Sequence, residues 1–232
     1  MARNIYTNRE YLAKNPTWHQ EDSPWKAGQI FDLLQRNGVQ VDTVAEIGCG
    51  AGGVIAALAE RLPKETKLHG FDISPEAIDI AKGRERIGLR FSCEDLLKSK
   101  DGFDLLLVID VVEHVRDYLG FMESCRLKAR LKVFHIPLDI HVSSVIRAHF
   151  VLGRHTIGHL HYFSAESALD TVRDTGHKVI DHVYTDGGVA LASLHPSFRR
   201  TLANIPRRIV GRFSRKLAAR WFGGYSLLVL AE

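Results

Sequence analysis

Cysteine is scarce: three residues in 232, at 49, 93 and 125. They show no Cys-x-x-Cys spacing, and their odd number argues against a disulfide framework. Long apolar runs are missing too. Runs such as Leu105–Ile109 fall far short of the roughly 20 residues that a membrane-spanning helix needs. The start, Met1 to Tyr6, has no apolar stretch of the secretory kind. There is no internal repeat and no low-complexity tract. Together these absences predict a soluble protein kept reduced in the cytoplasm. A further absence is local. Between Arg199 and Arg220 there are eight Arg or Lys residues and no acid, although the net charge of the whole chain is only +4.

What remains is ordinary globular material, 45% hydrophobic and 25% charged, enough for one well-filled α/β domain. The stretch Val44–Gly53, Val-Ala-Glu-Ile-Gly-Cys-Gly-Ala-Gly-Gly, organises the rest. A short apolar run ends near an acid, Glu46, and a glycine-rich turn opens into the alanine-rich segment Val54–Glu60. A parallel strand passes in this way through a tight loop into a helix at the edge of a nucleotide pocket. Glycines at 48, 50 and 52 permit positive φ and let a ligand lie on the backbone. Read as Gly48-x-Gly50-x-x-Gly53, the loop also fits a dinucleotide. Glu46 weighs against that, because a buried carboxylate there would face a pyrophosphate. It suits an ammonium group, such as the one on the methionyl part of S-adenosylmethionine (SAM).

Along the chain, residues 1–40 read as a helical cap preceding the main domain, residues 41–232. Ser23-Pro24 is a helix start, with Ser23 as cap. Strands are expected at Thr43–Ile47, Lys67–Asp72, Leu89–Ser92, Phe103–Ile109, Lys132–Ile136, His177–Tyr184 and Tyr225–Ala231. Ser74 and Ser164 should cap the helices that follow them. Phe103–Ile109 has no polar alternation, so it is expected to be buried on both faces. Strands alternating with helices predict a doubly wound, Rossmann-like, mostly parallel sheet with helices on both faces. Asp72, closing the second strand, is placed to bond ribose hydroxyls. Glu94-Asp95-Leu96, just past the third, can meet an adenine.

These residues together resemble the class I SAM-dependent methyltransferase family. Glu46-x-Gly48-x-Gly50-x-Gly52 is similar to its first motif, Asp72 to its ribose-binding acid and Asp95 to its adenine-side acid. Phe103–Val115 resembles the fourth motif of a small-molecule branch that includes ubiquinone-biosynthesis O-methyltransferases. His161-Tyr-Phe-Ser164 and Gly223-Gly-Tyr-Ser-Leu-Leu-Val-Leu are similar to that branch as well. The resemblance implies seven strands, the last antiparallel between the fifth and sixth. It implies SAM as cofactor, held by Glu46, Gly48, Cys49, Gly50, Gly52, Asp72, Ile73, Asp95, Leu96, Asp110 and Val111. Asp110-Val-Val stands where DNA and many protein or RNA amino-methyltransferases have Asn/Asp-Pro-Pro-Tyr/Phe. Without that clamp for a planar nitrogen, a small-molecule acceptor is expected, with oxygen favoured, and an anionic metabolite or a glycan or lipid intermediate fits.

His114, just beyond the fourth strand, is the candidate general base, since an unperturbed histidine titrates near working pH. Its other reading is a residue that fixes the loop, and Glu113 with His114 could help to hold a divalent ion. Six histidines, at 135, 141, 149, 155, 159 and 161, fall within 27 positions. No acid or cysteine accompanies them at the usual metal spacings, so no metal site is assigned. His135 and His161, with Arg147 and Arg154 for an anionic acceptor, are the expected substrate-binding residues. His159 and His161 would share a side in an extended segment. Pro206–Trp221, within an insertion over about 195–222, reads as one amphipathic helix with Ile209, Phe213, Leu217 and Trp221 every four residues. Three readings stay open for the basic segment 199–220: packing on the domain, an anionic membrane surface, or an anionic ligand. No recognition module for nucleic acid accompanies the charge. A non-catalytic scaffold of the same fold and an NAD-dependent oxidoreductase are the rival functions.

Overall fold

The computed structural model describes residues 20–147, 150, 154, 158–194 and 198–232. Seven strands form one sheet: β1 Thr43–Ile47, β2 Lys67–Asp72, β3 Leu89–Cys93, β4 Phe103–Ile109, β5 Ala129–Pro137, β6 Val179–Thr185 and β7 Ser226–Ala231. Their order is β3-β2-β1-β4-β5-β7-β6. β1 to β5 are parallel, and β7 is antiparallel to both of its neighbours. This is the Rossmann-like sheet that the motifs imply. The helices are α1 Ser23–Arg36, α2 Gly53–Ala59, α3 Pro75–Lys82, α4 Tyr118–Cys125, α5 Val142–Ile146, α6 Ala165–Asp174, α7 Gly187–Ala190, α8 Phe198–Phe213 and α9 Arg215–Phe222.

Side chains alternate across a strand, and β4 shows what that does with an uninterrupted apolar run. Leu105, Leu107 and Ile109 enter the core layer that contains Ala27, Ile30 and Leu33 of α1 and Ile55 of α2. Leu106 and Val108 enter the opposite layer, with Phe134, Met122 of α4 and Ala168 of α6. Each such side chain, taken fully out of water, contributes roughly 1.5–3 kcal/mol.

The helix starts follow local chemistry. Ser74 Oγ accepts from the Ala77 N–H at 3.3 Å, and Ser164 forms a reciprocal capping box with Ser167. The start of α1 differs from expectation. Ser23 is its first residue, not its cap, and a 3-10 turn at Gln20–Asp22 precedes it. Asp22 occupies the cap position but makes no capping bond, because its carboxylate pairs with Lys26 at 2.8 Å instead. At the other end of α1, the Arg36 guanidinium and the Asn37 amide both hold Asp181 of β6. Of the expected cap, residues 1–19 lie outside the described residues.

The expected single helix Pro206–Trp221 is two helices. α8 ends at Phe213, and Ser214 adopts an extended conformation (φ −156°, ψ 106°) and caps α9 through the Leu217 N–H. A serine favours its own backbone cap over a helix interior, and that preference breaks the run.

Candidate active site

The strand order reverses between β1 and β4, which makes the crevice at their carboxyl ends the natural ligand site of such a sheet. The loop after β1 is pinned there. Gly48 and Cys49 donate their N–H groups to the Phe71 carbonyl at 2.8 and 3.1 Å. Gly48, Gly50 and Gly52 have φ of 68°, 53° and 76°. A Cβ on Gly48 would lie 2.6 Å from a methyl of Val111, so the β1 and β4 loops touch where no side chain fits. Cys49 is buried and does not present its thiol to the crevice.

Asp72 joins that loop to the end of β2. One oxygen accepts the Gly50 N–H and the other the Ser74 N–H, both at 2.8 Å. Burial raises its pKa and these bonds oppose the rise. Each oxygen keeps a lone pair for a further donor. Ile73 beside it is 52% exposed, a free apolar face at the ligand edge. Asp95 caps the turn Leu96–Lys98 through the Leu97 N–H and pairs with Lys98. Leu96 was expected to pack against a base, but it is buried in the apolar cluster of Ala45 and Phe71. The apolar surface open to a base is that of Ile73.

Glu46 is only 2% exposed. Its carboxylate accepts the Ile55 N–H at 3.1 Å, so it caps α2 from the strand side, where Gly52 has no side chain to do so. Burial pushes its pKa up to about 8, against the Ile55 bond and the Lys26 charge.

Asp110, which follows β4, is the one non-glycine residue with positive φ (54°) among the described residues, a conformation that costs energy and clusters at functional sites. Its two oxygens divide their partners. His135 Nδ1 lies 2.6 Å from Oδ1, and Lys26 Nζ lies 2.7 Å from Oδ2. Burial alone would raise the Asp110 pKa, but the His135 and Lys26 charges and bonds outweigh it and hold the carboxyl well below the usual range. Burial likewise opposes the Lys26 charge, and Asp110 and Asp22 more than compensate. The N-terminal helix thus reaches the switch point through Lys26, a residue that no motif marks. His135 was expected in the substrate cleft. It is instead 4% exposed, with Nε2 at 3.0 Å from Thr185 Oγ1. Both ring nitrogens are committed, so it positions Asp110.

His114 lies in the short turn Val112–His114. Its Nδ1 is 3.1 Å from the Gly158 carbonyl, which requires the proton on Nδ1 and leaves the Nε2 lone pair as acceptor. Burial lowers its pKa to about 4, against the Gly158 bond. It is therefore neutral at ordinary pH, as a base must be, though intrinsically weaker than a free imidazole.

The histidine-rich segment divides. Leu160 and His161 both donate N–H groups to the Glu113 carbonyl, which lays the segment on the loop after β4. His159 turns inward, with Nδ1 at 2.6 Å from Asp139 Oδ2 and Nε2 at 3.9 Å from Glu113. His161 lies against Tyr118, ring centroids 4.5 Å apart and the planes tilted by 49°, with Nε2 near the Arg116 carbonyl. So His159 and His161 do not converge on one ligand. His141 caps α5; His149 and His155 lie outside the described residues. Arg147 and Arg154 are exposed. Arg147 acts on Arg207 and Arg154 on Tyr162, and no contact among the described residues brings the two arginines together.

Glu113, which with His114 could help to hold a divalent ion on the sequence reading, is fully buried, and neither carboxylate oxygen has a hydrogen-bond partner among the described residues. Burial, then the Asp110 charge, keep its pKa well above the usual carboxylate range. Ligand atoms of Glu113, His114 and His159 lie within 4.8 Å of one another. Three such donors, each imidazole oriented from behind by an oxygen, can chemically hold a divalent cation. The sequence concealed the third donor because His159 stands 45 residues from His114.

Comparison with known proteins adds three findings. The family described as "methyltransferase domain" matches residues 17–182. The ubiquinone biosynthesis O-methyltransferase of Coxiella burnetii (strain Dugway 5J108-111) is 31% identical over 88 residues, 35% of this chain and 36% of that protein. Its counterpart in Actinobacillus pleuropneumoniae is 28% identical over 154 residues, 59% of this chain and 64% of that one. The chain thus matches about a third of the first relative's length and under two thirds of the second's. Among solved structures, the magnesium protoporphyrin IX methyltransferase of Synechocystis PCC 6803 with bound S-adenosylhomocysteine (SAH) superposes with a TM-score of 0.60 at 15% identity, covering 94% of this chain and 85% of that one.

Proposed function

Because the chain belongs to the methyltransferase-domain family, we propose that it transfers a methyl group from SAM to a small-molecule acceptor. One observation carries the reading: the positive-φ glycine loop lies at the switch point, tied to Asp72 by the Gly50 N–H. The free lone pairs of Asp72 suit ribose hydroxyls, and the exposed face of Ile73 suits the base, with Asp95 at its amino edge. Cys49 and Val111 shape the loop backbone between them. Glu46 at the β1 end suits the ammonium group. SAM supplies an activated methyl on a sulfonium, and the protein's tasks are to align the acceptor, exclude water and take up a proton.

An oxygen acceptor is favoured, since Asp110-Val-Val offers no clamp for a planar nitrogen. An anionic metabolite, or a glycan or lipid intermediate, fits the exposed Arg147 and Arg154 and the imidazole of His161. His114 is the proposed base. It accepts the acceptor's proton at Nε2, on the side of the buried Glu113, 3.8 Å away.

Calorimetric titration with SAH, and with NADH in parallel, tests the reading. Binding of SAH alone, abolished by Asp72→Ala, is the expected result. Binding of NADH alone would make the protein an oxidoreductase, and binding of neither a scaffold.

A further inference from the structure

α8 and α9 are amphipathic with the wrong side out. In α8, Asn204, Arg207 and Gly211 face the body of the protein. The Asn204 amide donates to the Gly188 carbonyl at 2.9 Å, Arg207 donates to the Phe222 carbonyl at 2.9 Å, and a Cβ on Gly211 would meet the Tyr225 hydroxyl at 2.6 Å. Leu202, Ile205, Ile209 and Phe213 lie within about 80° of one another on the opposite side, at 100° per residue. They are 51%, 49%, 58% and 86% exposed. In α9 the buried residues are Ala218 and Ala219, while Leu217 and Trp221 are half exposed on the far side. Helices that only packed on the sheet would bury these six side chains. A run of them on one surface marks a docking face.

The charges beside that face identify its partner. Arg208, Arg212, Arg215, Lys216 and Arg220 are exposed, and the segment 199–220 contains no acid. Glu166 of α6 pairs with Arg220 and Lys216. Arg208 and Arg212 have no acidic partner among the described residues. A second copy of the chain would bring the same basic patch against itself in a two-fold interface. A nucleic acid would leave the large apolar side chains without a role. A bilayer with anionic headgroups satisfies both, taking the apolar residues into its acyl boundary while the arginines stay among the phosphates.

We propose that α8 and α9 dock the protein on the surface of an anionic lipid bilayer, with Leu202, Ile205, Ile209, Phe213, Leu217 and Trp221 inserted. The protein lies on the membrane and does not span it: no helix among the described residues is long and apolar enough to cross. The glycine loop after β1 and the α8–α9 face lie on different elements, so docking is tested apart from SAH binding.

Co-sedimentation of the full chain with phosphatidylcholine vesicles, with and without phosphatidylserine, tests this. Binding should require phosphatidylserine and weaken with salt. Arg208→Gln and Arg212→Gln should each weaken it roughly five-fold, and Phe213→Asp should abolish it. All three positions are exposed, so circular dichroism should show folded variants, and SAH titration should be unchanged. A blue shift of Trp fluorescence on vesicle addition, lost in Trp221→Tyr, would place α9 in the interface. The proposal fails if the chain ignores phosphatidylserine vesicles, or if Ile209→Asp with Phe213→Asp still binds them. Self-association in the absence of lipid that Phe213→Asp disperses would also overturn it, assigning the face to a second copy.

Discussion

Glu46 has two partners to choose between. Without ligand it caps α2 as a largely neutral group near pH 7, because its pKa stands at about 8. An ammonium beside it favours the carboxylate. SAH binding below pH 8 should therefore release a proton, which calorimetry in two buffers of different ionisation enthalpy would detect. Equal heats in both buffers would remove Glu46 from the ligand. Gly48 is a sharper constraint. Gly48→Ala places a methyl against Val111 at φ 68°, with left-handed strain of about 1–2 kcal/mol added to the clash. Denaturant unfolding should show a clear loss, and adding Val111→Ala should recover the steric share only. Spacing in the sequence revealed Glu46, the glycines and Asp72, since a strand, a loop and a helix start are local. It did not reveal Lys26 on Asp110 or His159 beside His114, because those pairs form only when distant segments meet. His135 shows the converse. Its place at the end of β5 suggested the cleft, but Asp110 and Thr185 on either side draw the ring inward.

At the scale of elements, capping chemistry was the most readable signal and also the one that misled. Ser74 and Ser164 cap as their sequences suggest, whereas Ser23 yields to Asp22, and Ser214 starts a helix inside what the apolar period presents as one. The four-residue recurrence of Ile209, Phe213, Leu217 and Trp221 survives the break, but periodicity does not say which side the stripe faces. Loss of a serine cap costs about 1 kcal/mol. Ser164→Ala and Ser214→Ala should each lower unfolding stability by about that amount. Only Ser214→Ala should also weaken vesicle binding, because it frays the start of α9, whereas α6 carries none of the docking residues.

For the whole molecule, Asp110 and Glu46 set opposing pH responses, and the raised pKa of buried Glu113 acts in the same sense as that of Glu46. Asp110 has a depressed folded pKa, so its contribution to stability is present above its unfolded pKa, about 4, and is lost as pH falls. Glu46 has a raised folded pKa. Its contribution is present below its unfolded value, about 4.5, and is lost as pH rises toward 8, a change on the order of a few kcal/mol. Unfolding of the ligand-free protein across pH should show both slopes. Glu46→Gln should lessen the fall on the alkaline side, leaving the share of Glu113, and Lys26→Met should flatten the acid side while lowering stability at neutral pH by about 3 kcal/mol. A Glu46→Gln curve that falls between pH 5 and 8 as steeply as the parent would assign that slope elsewhere.

The position of β7 bears on how the protein is made. β7 lies between β5 and β6, and β6 has no other neighbour in the sheet. It follows β6 in the chain only after some forty residues. While a ribosome is still delivering α8 and α9, β5 therefore has an open edge and β6 has nothing to pair with. The exposed row includes Val133, Phe134 and Ile136, all fully buried in the finished fold. The nascent chain thus passes through an interval in which β5 is unsealed and β6 unpaired, which ends only when β7, behind α8 and α9 in the chain, is delivered. A chaperone would meet the protein at that stage, before the sheet has closed.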